Sequence, residues 1–140
     1  IGYRLTPSLQ SLNPDKLVDT PLLDLCPEEQ WVGGNEAHLL SNGQIGVLGH
    51  IARFGEKGER HYHSMAFALD PPSGTHSPCE IIARRKVFPS GPSKRPDLED
   101  VIFSGGLLRL PDRTARLFAG LSDAEAGWLD IPDPFIQYES

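Results

Sequence analysis

Asn42-Gly43 stands between two apolar runs, Asn35–Ser41 and Gln44–Arg53, and no other dipeptide constrains the chain as strongly. A two-residue reversal between twisted strands needs positive φ at both central positions. Asn and Gly tolerate this best, so the pattern specifies a β-hairpin. A second hairpin is expected within Val101–Trp128: an apolar strand meets Leu110-Pro111-Asp112-Arg113, returns, and ends on Leu121-Ser122-Asp123-Ala124-Glu125. An apolar hairpin that delivers an acidic cluster at its far end places polar chemistry on a rigid scaffold.

The rest of the chain extends these hairpins into sheets. His61–Asp70 and Glu80–Phe88 read as third and fourth strands, separated by Pro71-Pro72-Ser73-Gly74, and Gly127–Ile131 reads as a third short strand of the second unit. Ile1–Thr6 is strand-like and stopped by Pro7. Ser8–Gln30 reads as a connector with at most one helical turn, opened by Asn13-Pro14-Asp15, because Pro21 and Pro27 block extension. The expected organisation is all-β, with antiparallel four-stranded meanders in a single domain. Residues 1–30 are strand plus connector, 31–88 a complete unit, 89–100 a Pro- and charge-rich connector and 101–140 an incomplete unit. Setting Leu39-Leu40 on Leu107-Leu108 brings the two hairpins into alignment. A repeated meander suits a β-propeller, while a β-sandwich or a looser β-sheet domain stays open.

Composition excludes some classes of function. A net charge of −6 and a pI near 5.3 argue against nucleic acid as a partner, because phosphate contacts need clustered cations. No apolar run approaches the ~20 residues of a membrane helix, so no membrane partner is expected. No basic-apolar-small leader opens the chain, although Ile1 in place of Met leaves its start open. Cys26 and Cys79 lie outside any CxxC pattern, and two reduced thiols are preferred to one disulfide, which points to a cytoplasmic location.

Antiparallel geometry gathers the polar residues. If strand one starts at Asn35-Glu36 and strand two ends at His50, then Glu36, His50 and His61-Tyr62-His63 share the end opposite Asn42-Gly43. The same logic brings Ser104-Gly105 and Ser122-Asp123 to that rim. His61 and His63 alternate onto one face, a spacing that suits a metal. The positions where a further ligand would follow are Ala66 and Phe67, however, so no metal and no cofactor are expected.

These stretches also carry a resemblance. Trp31–His50, Tyr62–Asp70, Val101–Asp123 and Ile131-Pro132-Asp133-Pro134-Phe135 resemble the C-terminal part of the five-bladed propellers of glycoside hydrolase family 130. They are closer still to a related protozoan group of β-1,2-mannosyltransferases and mannan phosphorylases. The resemblance implies that the chain forms about two of five blades and is a piece of a longer enzyme acting on β-mannosides. The reaction would be phosphorolysis or mannosyl transfer involving mannose-1-phosphate or a nucleotide-mannose donor. It implies a catalytic-site role for Asp123 as a sugar ligand, a phosphate contact for His50, and substrate-binding positions at Asn35, Glu36, His61, Tyr62 and His63. Asn35-Glu36 replaces the family's Pro-Pro, and His63 replaces its Arg. The general acid and the phosphate-binding cations would lie on earlier blades, so the chain alone is expected to be inactive. The implied partners are a mannose-containing oligosaccharide, phosphate or a nucleotide sugar, and the missing blades or a second copy. The alternative is a non-catalytic carbohydrate- or protein-binding β domain.

Overall fold

The computed structural model describes residues 1–139; Ser140, the end of the expected final unit, lies outside the described residues. Strands β1 (Gln30–Leu39), β2 (Ile45–Phe54), β3 (Arg60–Leu69) and β4 (Glu80–Ala83) form one antiparallel unit. Strands β5 (Asp100–Arg109), β6 (Thr114–Leu121) and β7 (Glu125–Pro132) form another. A short parallel contact, His61↔Asp100 and Tyr62↔Val101, joins them into one open sheet. The all-β expectation holds, and both hairpins are present.

The first reversal is wider than the expected two-residue turn. The Leu40 amide donates to the Gln44 carbonyl (2.9 Å) across Ser41-Asn42-Gly43, and only Gly43 (φ 85°) takes the left-handed region. Asn42 instead accepts from the Gln44 amide through its side chain (3.1 Å), so it stabilises the loop without needing positive φ. The second hairpin repeats this form: the Leu110 amide donates to Thr114 O (2.9 Å), and Arg113 (φ 68°) takes the place of Gly43.

The units repeat more closely than the sequence alignment suggested. Ala37 pairs with Val47 as Leu107 pairs with Leu117, so Leu39 corresponds to Arg109 rather than to Leu107. Register shifts between Gly34 and Glu36 in β1 and between Ser104 and Gly106 in β5 fall at equivalent places under this correspondence. The corrected alignment moves every partner by an even step, which preserves strand alternation and the expected facing of side chains.

Some boundaries move. β1 begins at Gln30 rather than Asn35, because Trp31–Gly34 pair with Gly49–Ala52 instead of leading into the strand. Asn35 and Glu36 therefore lie midway along β1, His50 lies midway along β2 rather than at its end because pairing continues to Phe54↔Arg60, and Trp31, Phe54 and Arg60 form the strand ends. The fourth strand stops at Ala83, not Phe88. Arg85–Val87 turn into a 3-10 helix as the Arg85 side chain bends inward to hydrogen-bond partners. β7 is longer than Gly127–Ile131 at both ends. Ile1–Thr6 contributes a single bridge, Gly2↔Leu22, in place of a strand. The helical turn is present at Asp15–Val18, with Asn13 Oδ1 accepting from the Asp15 amide (3.0 Å).

Two apolar clusters hold these elements. The larger lies between the units and joins Leu48, Ala66 and Ala68 to Ile102, Leu107, Leu117, Ala119 and Phe135. The smaller lies on the other face of β2–β3, where Ile1, Tyr3, Leu23 and Leu25 cover Met65, Phe67 and Leu69. Ser104, buried between the units, places its hydroxyl 2.7 Å from the Gly49 carbonyl and 2.8 Å from Ser64 Oγ. The C-terminal segment closes the Asn42-Gly43 end. Phe135 is fully buried, Arg109 pairs with Asp133 and Glu139, and Glu139 Oε1 accepts from the Ser41 amide (2.8 Å). Cys26 and Cys79 are free thiols; burial pushes the Cys79 thiol up to about 11.

Candidate functional site

Directly opposed residues in a sheet share a face, and the register sorts the candidates accordingly. His50 lies opposite Gly33 and Ser64, and Tyr62 opposite Ala52. This face looks toward the second unit, since Ser104 reaches Ser64 across the gap. The His50 ring lies over Gly33, where an added Cβ would sit 2.4 Å from Cε1, so the position has no room for a side chain. In the second unit the bulk is exchanged. Phe103 is the counterpart of Gly33 and pairs with Gly120, as Gly33 pairs with His50. The Phe103 and His50 rings meet at 4.7 Å, and His50 also stacks on Tyr62 at 5.6 Å. Trp31 packs against Tyr62 and Phe54, extending the aromatic surface to the strand end.

Asn35 is the residue extruded by the β1 bulge, and its Oδ1 lies 3.1 Å from His50 Nδ1. Burial lowers the His50 pKa, so the imidazole is held toward its neutral form. With Nδ1–H donating to Asn35 Oδ1, Nε2 is left as a hydrogen-bond acceptor rather than a point charge.

Asp123 reaches the same rim from the β6–β7 turn. Ser122 (φ 53°) and Asp123 (φ 54°) occupy the left-handed region in succession, and the Ala124 amide closes the turn on Leu121 O (3.0 Å). Ser122 is buried, while the Asp123 side chain is 54% exposed with Lys94 Nζ 4.0 Å away. Asp123 lines a cavity of about 280 Å³ with Arg60, Tyr62, Arg95, Leu98, Val101 and Phe103. Arg60 and Arg95 both pair with Asp97 at its margin. The cavity thus offers one carboxylate, a phenol and two aromatic faces, with His50 and Asn35 behind the rings. Such a set can hydrogen-bond hydroxyls and stack on an apolar sugar face.

The other expected residues lie elsewhere. Glu36 faces the second unit but is committed there: Oε2 accepts from the Leu107 amide (2.8 Å) and ties β1 to β5. His61 and His63 point to the opposite face of β3 from Tyr62. His61 Nδ1 is 2.7 Å from Asp100 Oδ2, at the junction of the units. His63 is buried, and its pKa is lowered by burial and then by Arg84. Among the described residues no three His, Cys, Asp or Glu side chains converge as a metal site, and His50 is separated from His61 and His63 by the sheet itself. No helix of the described residues is long and apolar enough to cross a membrane. Sequence reasoning missed Phe103 and Arg60. Both are adjacent to apolar or histidine runs that masked them, and only the exchange of bulk between Gly33–His50 and Phe103–Gly120 would have singled out Phe103.

Residues 1–137 match the family described as "Protein of unknown function (DUF1861)". No curated protein matches the chain. Among solved structures, MPT-4, a mannose phosphorylase from Leishmania mexicana in complex with phosphate ion, is 31% identical with a TM-score of 0.90, covering 99% of this chain and 45% of that one. A hypothetical protein from Leishmania major is 29% identical with a TM-score of 0.89, covering 99% and 46%. MPT-1, a GDP-Man-dependent mannosyltransferase from Leishmania mexicana, is 26% identical with a TM-score of 0.87, again covering 99% and 46%. The chain spans less than half the length of each of these three proteins.

Proposed function

The chain belongs to the DUF1861 family, and on that premise we propose that it supplies one side of the active site of an enzyme acting on β-mannosides. The reaction is phosphorolysis, or mannosyl transfer involving mannose-1-phosphate or a nucleotide-mannose donor. The observation that carries this reading is the rim where Asp123, Tyr62 and Phe103 share a cavity and His50 stacks behind them. Its support is the match over 99% of the chain to MPT-4, a mannose phosphorylase.

In this reading Asp123 accepts hydrogen bonds from sugar hydroxyls, and the aromatic faces exclude water and stack on the ring. His50, neutral and braced by Asn35, accepts at Nε2 from the hydroxyl of a protonated phosphate. Phosphorolysis forms a bond from phosphate oxygen to the anomeric carbon and breaks the glycosidic C–O bond. The leaving oxygen takes a proton from a carboxylic acid. Asp123 is the only carboxylate in the cavity lining, so that acid, with further phosphate-binding cations, comes from outside these residues. The two units are read as the last two blades of a five-bladed propeller. The repeated register, the shared core, and the exposed Phe118 and Trp128 on the outer face of the second unit support this.

The test is direct. The protein with its natural flanking sequence is incubated with β-1,2-mannan and phosphate, and mannose-1-phosphate is measured. Release of mannose-1-phosphate that falls sharply, but stays measurable, in Asp123→Asn supports the reading. Binding of mannan without any turnover, with either phosphate or GDP-mannose supplied, supports the non-catalytic binding domain instead.

A further inference from the structure

Asp123 sits in a conformation that the chain elsewhere assigns mostly to glycine. Gly43, Gly58 and Gly74 take positive φ at other reversals and Arg113 does so singly, whereas Ser122 and Asp123 form the one consecutive non-glycine pair in that region among the described residues. Each such residue brings its Cβ against a neighbouring carbonyl oxygen, so the pair persists only where surrounding contacts over-determine it. Those contacts converge on Ser122. Its amide donates to Val101 O (2.8 Å), its carbonyl accepts from the Lys94 amide (3.0 Å), and its hydroxyl accepts from Arg85 Nε (3.0 Å) and donates to Glu99 O (3.2 Å). The Asp123 side chain makes no comparable contact, apart from Lys94 Nζ at 4.0 Å.

Arg85 is unusual in its own right. Only 8% exposed, it has no carboxylate within ion-pair distance among the described residues. Its Nη1 donates to the Pro89 carbonyl (2.8 Å) while Nε holds Ser122. A buried guanidinium is costly, and this one is spent bridging the end of β4 to the β6–β7 turn. The planar fork fixes both acceptors at once, which an ammonium cannot do.

We propose that Arg85 and Ser122 are positioning residues for Asp123. The anchored guanidinium holds the Ser122 hydroxyl, Ser122 fixes the left-handed turn, and the turn presents the Asp123 carboxylate to the cavity beside Tyr62 and Phe103. The inference rests on the reading of Asp123 as a sugar contact. It assigns the buried Arg85, which does not itself line that cavity, a part in that contact.

The experiment is a double-mutant cycle in the protein with its natural flanking sequence, using β-1,2-mannobiose and phosphate. Ser122→Ala and Arg85→Met each lower kcat/KM by roughly 10²-fold, the scale of a misplacement near 1 Å. In an Asp123→Asn background neither lowers it further. Equal losses in both backgrounds overturn the proposal, because the two residues then act independently of Asp123. If Arg85→Met does not fold, Ser122→Ala alone completes the cycle. If the unsubstituted protein turns over no mannoside, the proposed function fails, and the crystal structure of Ser122→Ala decides the positioning. Retained positive φ at 122 and 123 overturns it, and reversion to negative φ upholds it.

Discussion

Gly33→Ala puts the fit between strand and histidine under test. The new methyl would lie 2.4 Å from His50 Cε1 and 2.7 Å from Nε2. Carbon contacts relax to about 3.5–4.0 Å, so the ring must retreat by roughly 1 Å or more. The ring is the far end of a two-torsion side chain, so it swings aside rather than deforming the sheet. Leaving its place, it gives up the stacks on Phe103 and Tyr62, each worth about 0.5–1.5 kcal/mol. It also gives up the Asn35 hydrogen bond, worth about 1 kcal/mol. Partial recovery by hydration brings the net cost to about 2 kcal/mol, within the range for overpacking. For a domain of this size the thermal midpoint falls by about 4–8 °C. The sharper readout is the titration of His50. Burial lowers its pKa in the native protein, so displacement into water raises it toward the ordinary 6.5. As the pH drops through that value the unfolded chain takes up the proton before the native one does, so native stability falls. Gly33→Ala weakens that dependence. NMR titration of the His50 ring alongside urea unfolding measures both effects. A His50 pKa and a stability both unchanged by the methyl would refute the argument.

Three further expectations concern the framework. Phe135→Ala removes a fully buried ring from the core between the units and should cost about 3–5 kcal/mol in urea unfolding. A loss below about 1 kcal/mol would mean that the C-terminal segment does not seal the core. Arg109, and then the Ser41 amide, hold Glu139 down to about 2. Its contribution is therefore complete above the ordinary 4.5 and is lost as the pH falls from there through 2, so Glu139→Gln should flatten the acid limb of a stability–pH curve; identical limbs would count against the clasp. Ser104→Ala strips a buried hydroxyl from Gly49 and Ser64 and should cost about 1–3 kcal/mol by calorimetry. A neutral result would show that the polar link between units is dispensable.

The turns and the alternating apolar runs were legible in the sequence because they are local. Gly43 reverses the chain by its own φ preference, and the period of two in β2 and β6 assigns faces without reference to anything distant. The rim was legible in outline for the same reason: antiparallel pairing brings His50 near Tyr62 whatever lies around them. The start of β1 was not legible. Gly33 and Gly34 precede the expected strand in the sequence, yet they pair with His50 and Gly49, and the backbones come so close that a Cβ on Gly49 would lie 2.1 Å from Gly33 O. Glu36 looked like a free rim carboxylate until the second unit supplied the Leu107 amide. Arg85 falls within the expected fourth strand, yet it turns inward because Ser122 and Pro89 offer acceptors that no local pattern reveals. By itself the sequence determined the hairpins, the facing of their side chains and the acidic tip at Asp123. The tertiary structure decided which polar groups are spent holding two units together and which are left for a ligand, because those partners are brought together only by packing.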